Sequence, residues 1–154
     1  MDIQLNLQSE TVDQASPAEP LSVGPETSVR DVLALLKERQ VGSLLICRDG
    51  VLEGIFTERD ALRLMAQNAD LNVAIETVMV SGPVTCRTGT TVAAAIQQMS
   101  SGGYRRLPIV DENERPIGVI KTSGIVRYLV EHFPSTVYNL PPVTEPSTQQ
   151  REGS

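Results

Sequence analysis

Gly54-Ile55-Phe56-Thr57-Glu58-Arg59-Asp60 is the stretch on which the reading of this chain turns. An apolar strand pattern runs into it and an amphipathic helix pattern runs out, so its hydroxyl and carboxylate sit where a strand hands over to a helix. Gly118-Val119-Ile120-Lys121-Thr122-Ser123-Gly124 repeats the frame 64 residues later. There Lys121 stands in place of Thr57 and Gly124 in place of Asp60. The chain therefore reads as two copies of one unit, of which the first alone keeps the polar pair.

The flanking residues carry the repeat in both directions. Upstream, Pro20-Leu21-Ser22-Val23 is a short extended segment followed by a Gly24-Pro25 turn. Ser28 caps a helix with Asp31 three residues on, and Val29, Val32, Leu33 and Leu36 form its apolar face. Leu44-Leu45-Ile46-Cys47 is a continuously apolar strand, the pattern of a strand buried on both faces. Asp49-Gly50 turns the chain back into Val51 to Phe56. The helix from Thr57 or Glu58 is expected to bury Ala61, Leu62, Leu64 and Met65, and Val73 to Met79 reads as a short helical turn. The pattern then returns: Val92 lies 63 residues after Val29, and an extra residue in the turn from Asp111 to Arg115 brings the offset to 64 at Gly118. Thr122 to Phe133 is the last helix, stopped by Pro134.

These readings predict an α+β fold of two β-α-β-β-α units, residues 20–77 and 78–136, packed pseudo-symmetrically with small sheets covered by helices. Each unit is near the lower size limit for independent stability, so a shared core is expected. Residues 1–19 are expected to form a mobile arm or, through Ile3, Leu5 and Leu7, a short edge strand. Residues 137–154, rich in Pro, Ser, Thr and Gln, are expected to be disordered.

Composition limits the function. The chain has 154 residues, a net charge of −6, 40% hydrophobic residues and 3% aromatics without tryptophan. An acidic surface disfavours nucleic acid, which demands a concentrated basic patch. No apolar run reaches the ~18–20 residues of a membrane span, and the N-terminus lacks a signal-peptide pattern. The expectation is a soluble cytoplasmic protein. Cys47 and Cys86 are far apart and strand-borne, as free buried thiols are. With His132 alone, near a helix end, no ordinary zinc site can be built. No phosphate-binding loop, nucleophile elbow or zinc-protease motif is present, so no catalytic residue is assigned and the protein is read as not an enzyme.

The pattern from Pro20 to Phe133 resembles a tandem pair of the cystathionine beta-synthase (CBS) domain family. The first copy carries the resemblance through Val41-Gly42-Ser43-Leu44-Leu45 and Gly54 to Asp60. The second carries it through Arg106-Leu107-Pro108-Ile109-Val110-Asp111 and Gly118-Val119-Ile120. The resemblance implies a sensor that binds an adenosine-containing ligand (AMP, ADP or ATP, less readily S-adenosylmethionine) in a cleft between two units, needs no other cofactor, and dimerises. An unidentified effector protein would receive the output. The alternative is a ligand-free module that only dimerises or docks on a partner.

By the same resemblance, Asp60 would accept the ribose hydroxyls and Thr57 would meet a phosphate. Leu21, Ser22 and Val23 with Ile55 would form the adenine slot, and Arg106 would contact phosphate. Read locally, Thr57 and Asp60 are also a plain capping pair, and the two roles are compatible. Leu21, Val23 and Ile55 also suit ordinary core packing. The second motif, with Lys121 and Gly124, is expected to bind a nucleotide weakly or not at all.

Overall fold

The computed structural model describes residues 9–15 and 17–132. The alternation at Ile3, Leu5 and Leu7, the Phe133-Pro134 stop and the 137–154 tail lie outside the described residues.

The chain forms two compact units. The first-repeat unit comprises Pro20–Val84 with Val110–Ile117; the second-repeat unit comprises Thr85–Ile109 with the described parts of 1–19 and 118–152. In the first, strands β1 (Ser22–Val23), β2 (Ser43–Arg48), β3 (Val51–Thr57) and β4 (Val80–Ser81) make one sheet in sequence order, with helices α1 (Val29–Arg39) and α2 (Glu58–Ala66). β1 runs parallel to β2, and the remaining neighbours are antiparallel. A second sheet has three strands, β5 (Cys86–Arg87), β6 (Arg106–Val110) and β7 (Pro116–Lys121), and goes with helices α3 (Val92–Gly102) and α4 (Thr122–His132).

Local chemistry explains these elements. The Ser28 hydroxyl accepts from Asp31 N–H at 3.1 Å and opens α1, whose Val29, Val32 and Leu36 are buried. The Thr91 hydroxyl opens α3 in the same way, accepting from Ala94 N–H at 3.1 Å. Asp49 and Gly50 both take positive φ, 52° and 81°, as a two-residue hairpin turn with the right twist demands. Gly54 has a steric reason to be glycine, because a Cβ there would collide with the Met79 thioether.

One helix face differs from expectation. Ala61 is buried and Leu64 packs against the first core, but Leu62 and Met65 are 67% and 55% exposed. In α2 positions 60, 61 and 64 turn inward. At about 100° per residue, position 62 lies on the far side of the helix from that stripe and position 65 lies at its edge.

The order of the chain and the order of packing also differ. Residues 9–15 and 17–19 are built into the second-repeat unit, where Val12 and Ala15 join the core of Val92, Met99, Leu107, Ile109 and Tyr128. Val12 N–H donates to Thr90 O at 2.8 Å, and Val92 N–H donates to Glu10 O at 2.8 Å. Ala18 and Val119 exchange backbone hydrogen bonds of 3.0 and 2.9 Å. Residues 71–81 do the same work in the first-repeat unit. Ile75 N–H donates to Thr27 O at 2.7 Å, Val29 N–H donates to Val73 O at 3.0 Å, and Val80 pairs with Ile55. Each repeat thus has a leading segment, 10–15 with 17–18 or 73–81, and each leading segment completes the body of the other repeat. A segment as polar as 9–19 gives little sign of this from its own sequence, because its anchors are two small buried residues, Val12 and Ala15.

Candidate functional site

The Thr57–Asp60 pair is a closed, reciprocal cap at the first turn of α2. Asp60 Oδ2 accepts from Thr57 N–H at 3.0 Å and from the Thr57 hydroxyl at 3.1 Å. Asp60 N–H points back to the Thr57 hydroxyl at a long 3.4 Å. Asp60 is the one buried charged residue among the described residues, at 7% exposure. A buried carboxylate is costly unless it is hydrogen-bonded or paired. Here Oδ2 is well satisfied, and Oδ1 faces Arg63 at 3.7 Å, an ion-pair separation too long for a hydrogen bond. Oδ1 therefore keeps acceptor capacity. Arg63, which the sequence reading did not single out, supplies the counter-charge one helical turn away.

The same geometry uses up donors that a phosphate would want. The Thr57 hydroxyl proton is committed to Asp60, and Glu58 N–H donates to Gly42 O at 3.0 Å. A ligand at this junction finds a carboxylate oxygen more readily than a free helix-start donor.

Strand register sorts the remaining residues. Ser22 pairs with Leu45, Leu45 with Ile55, and Ile55 with Val80, so these four share one face of the sheet. Thr57 shares it too, two residues after Ile55. Leu44, Ile46 and Phe56 point the other way into the core cluster, and Leu21 and Val23 pack against that cluster. The structure thus gathers Ser22, Ile55 and Thr57 on the face away from the core, joins Thr57 to Asp60, and turns Leu21 and Val23 inward. Cys47 is half-buried; burial pushes its thiol up, a Ser22 hydrogen bond pulls it partly back, and Glu53 adds a smaller upward push.

Arg106 belongs to the second-repeat unit. Its Nε is buried and has no hydrogen-bond partner. An unsatisfied buried donor on a cation is unfavourable by itself, and a bound anion would satisfy it. Among the described residues no group of three or more His, Cys, Asp or Glu could hold a metal ion, and no helix is long and apolar enough to cross a membrane.

Comparison with known proteins agrees with this architecture. The CBS domain model matches residues 15–67 and again residues 75–131. The CBS domain-containing protein YhcV of Bacillus subtilis (strain 168) is 34% identical over 100 residues, covering 64% of this chain and 71% of YhcV. The Meiotically up-regulated gene 70 protein of Schizosaccharomyces pombe is 30% identical over 107 residues, 68% of this chain but 15% of that protein. The crystal structure of CBSX2 in complex with AMP superposes with a TM-score of 0.69 at 27% identity, covering 79% of this chain and 97% of CBSX2. Both matched segments carry the strand-to-helix motif from which the repeat was read, and the chain belongs to the CBS domain family, of which it holds a tandem pair.

Proposed function

We propose that this chain is a cytoplasmic regulatory module that binds an adenosine-containing ligand through its first motif: AMP, ADP or ATP, with S-adenosylmethionine less favoured. The observation that carries the reading is the buried Asp60 carboxylate, with Oδ2 held by Thr57 and Oδ1 without a hydrogen bond among the described residues. An ionised carboxylate held rigid in this way suits vicinal ribose hydroxyls, which it accepts as charge-assisted hydrogen bonds. The likeness to CBSX2, crystallised with AMP, supports the ligand class. Ser22 and Ile55, on the face away from the core, are proposed to contact the base, with Leu21 and Val23 contributing through the backbone of β1. The orphaned Nε of Arg106 supports a role for that residue in holding an anionic group.

Ligand binding to the native state raises the melting temperature. Thermal denaturation with AMP, ADP, ATP and S-adenosylmethionine therefore tests the reading: a shift with at least one, lost in Asp60→Ala, is expected. Absence of any shift at millimolar ligand would sink it.

A second reading is favoured by a different observation. Leu62 and Met65 on α2 and Val126 on α4 are exposed apolar side chains, and Val126 occupies in the second repeat the place of Leu62 in the first. We propose that these faces make the protein a homodimer. A module that dimerises or docks on an effector without any ligand would use the same faces, and it would survive a negative result in the thermal experiment.

A further inference from the structure

The second motif has lost the ribose acceptor and gained a different chemistry. Lys121, Gly124 and Arg127 stand where the first copy has Thr57, Asp60 and Arg63, each at an offset of 64. In the first copy the Arg63 guanidinium lies 3.7 Å from the Asp60 carboxylate. In the second, no carboxylate stands there, and a Cβ added at Gly124 would meet nothing within 4 Å. The space left is a recess of about 280 Å³, walled by Pro17, Ala18 and Val119 and edged by Lys121, Ser123 and Arg127. Among the described residues two cations line it and no acid does. Neither the Lys121 nor the Arg127 side chain has an ion pair or hydrogen bond among the described residues.

The wall is fixed, because Ala18 and Val119 exchange two backbone hydrogen bonds and Pro17 packs where a Cβ on Gly118 would lie, 3.0 Å from the proline Cβ. The first turn of α4 adds N–H groups at Ser123 and Gly124 that have no intrahelical acceptor. An ammonium, a guanidinium, a hydroxyl and helix-start donors around one small recess form a set for oxyanions. The volume lies at the lower edge of what ligand pockets offer, which run from ~300 Å³ upward, so it suits a compact group.

We propose that this recess is an anion site that takes a diphosphate group and does not read a nucleoside. It is distinct from the Asp60 site in ligand and in mechanism: the first motif selects vicinal hydroxyls through a carboxylate, the second selects charge through two unpaired cations. Binding is accordingly weakened by salt, since Arg127 is exposed and exposed charges are screened within about 10 Å at 0.1 M.

Isothermal titration of the full chain with inorganic pyrophosphate at low ionic strength tests the proposal. Saturable binding is expected in the wild type and unchanged binding in Asp60→Ala. Each of Lys121→Gln and Arg127→Gln should weaken it about tenfold, the loss of one charge-assisted contact. Gly124→Asp, which returns a carboxylate to face Arg127, should weaken it as much, while Lys121→Arg retains it. Adenosine should not compete. No binding of pyrophosphate overturns the proposal, as does binding that survives the Lys121→Gln/Arg127→Gln double variant, that is lost in Asp60→Ala, or that adenosine displaces. These outcomes are separate from the fate of the Asp60 reading, which is decided by adenosine nucleotides in the thermal experiment.

Discussion

Val12 and Ile75 hold the same position in the two repeats, 63 residues apart, and each lies fully buried in the body of the other repeat. Both sit at the start of a short 3-10 turn and both donate their N–H to a threonine carbonyl just ahead of a helix, Thr90 for Val12 and Thr27 for Ile75. Truncating either opens a cavity that its rigid surroundings cannot close. Val12→Ala should cost about 2 kcal/mol and Ile75→Ala about 3 kcal/mol, read from urea denaturation midpoints at constant slope. A chain begun at Pro20 should be less stable than Val12→Ala, because it also loses the strand-like pairing of Ala18 with Val119. Equal stability of the truncated and full chains would contradict this packing.

The two roles of Asp60 can be separated. Thr57→Ala removes one side of the cap and should cost about 1 kcal/mol. Asp60→Asn keeps an oxygen for the Thr57 donors but removes the charge. Its melting temperature without ligand should stay close to that of the wild type, while its affinity for AMP falls about tenfold, the worth of one charge-assisted contact. Equal losses of stability and affinity would instead mean that Asp60 acts on the ligand only through the fold.

The thiols set an alkaline limit. Burial, reinforced by the negative charge of Asp13, pushes the Cys86 thiol up to about 11 from its ordinary 9.0. A group whose folded value is raised stabilises the fold fully below the unfolded value, and that stabilisation is lost as pH rises through the folded value. Thermal stability should therefore fall between pH 9.0 and about 11, and Cys86→Ala should flatten that part of the profile. At pH 8 the raised value leaves far less thiolate than a free cysteine has, so Ellman's reagent should label Cys47 slowly and Cys86 only after denaturation.

The exposed helix faces predict an assembly. Leu62→Lys and Val126→Lys replace exposed apolar side chains and should change monomer stability by less than about 0.5 kcal/mol. Each should shift the protein toward monomer in analytical ultracentrifugation. A wild type that sediments as a monomer at all concentrations would remove the homodimer from the proposal.

Much of this was legible in the residues themselves. The offset of 63 from Val29 to Val92 and 64 from Gly54 to Gly118 announces the repeat, while Ser28 with Asp31 and Asp49-Gly50 name a helix start and a turn by chemistry that acts over three or four residues. The spacing of Thr57 and Asp60 likewise foretold their contact. What stayed hidden depends on longer-range facts. Leu21 and Val23 read equally as slot or as core, and the choice between the two follows from the register of β1 against β2, which no local pattern encodes. Leu62 and Met65 read as inside because they are apolar, but the face that α2 buries is decided by its packing and not by composition, and both are exposed. Val12 is hard to pick out from the residues, because its counterpart Ile75 reads as the end of one repeat and not as the beginning of the next.

The exchanged leading segments bear on how such a chain could have arisen. A polypeptide holding one repeat alone would carry a leading segment with no body of its own to complete, and a body with an open slot. Two such polypeptides could satisfy each other reciprocally, with an association that depends on concentration. Joining the copies end to end makes that exchange intramolecular, at a local concentration set by the short connection and not by expression level. Once joined, the two motifs no longer need to stay identical, since a change in one is not copied into the other. The divergence of Lys121 and Gly124 from Thr57 and Asp60 is one that a self-paired single repeat, with identical copies, does not allow.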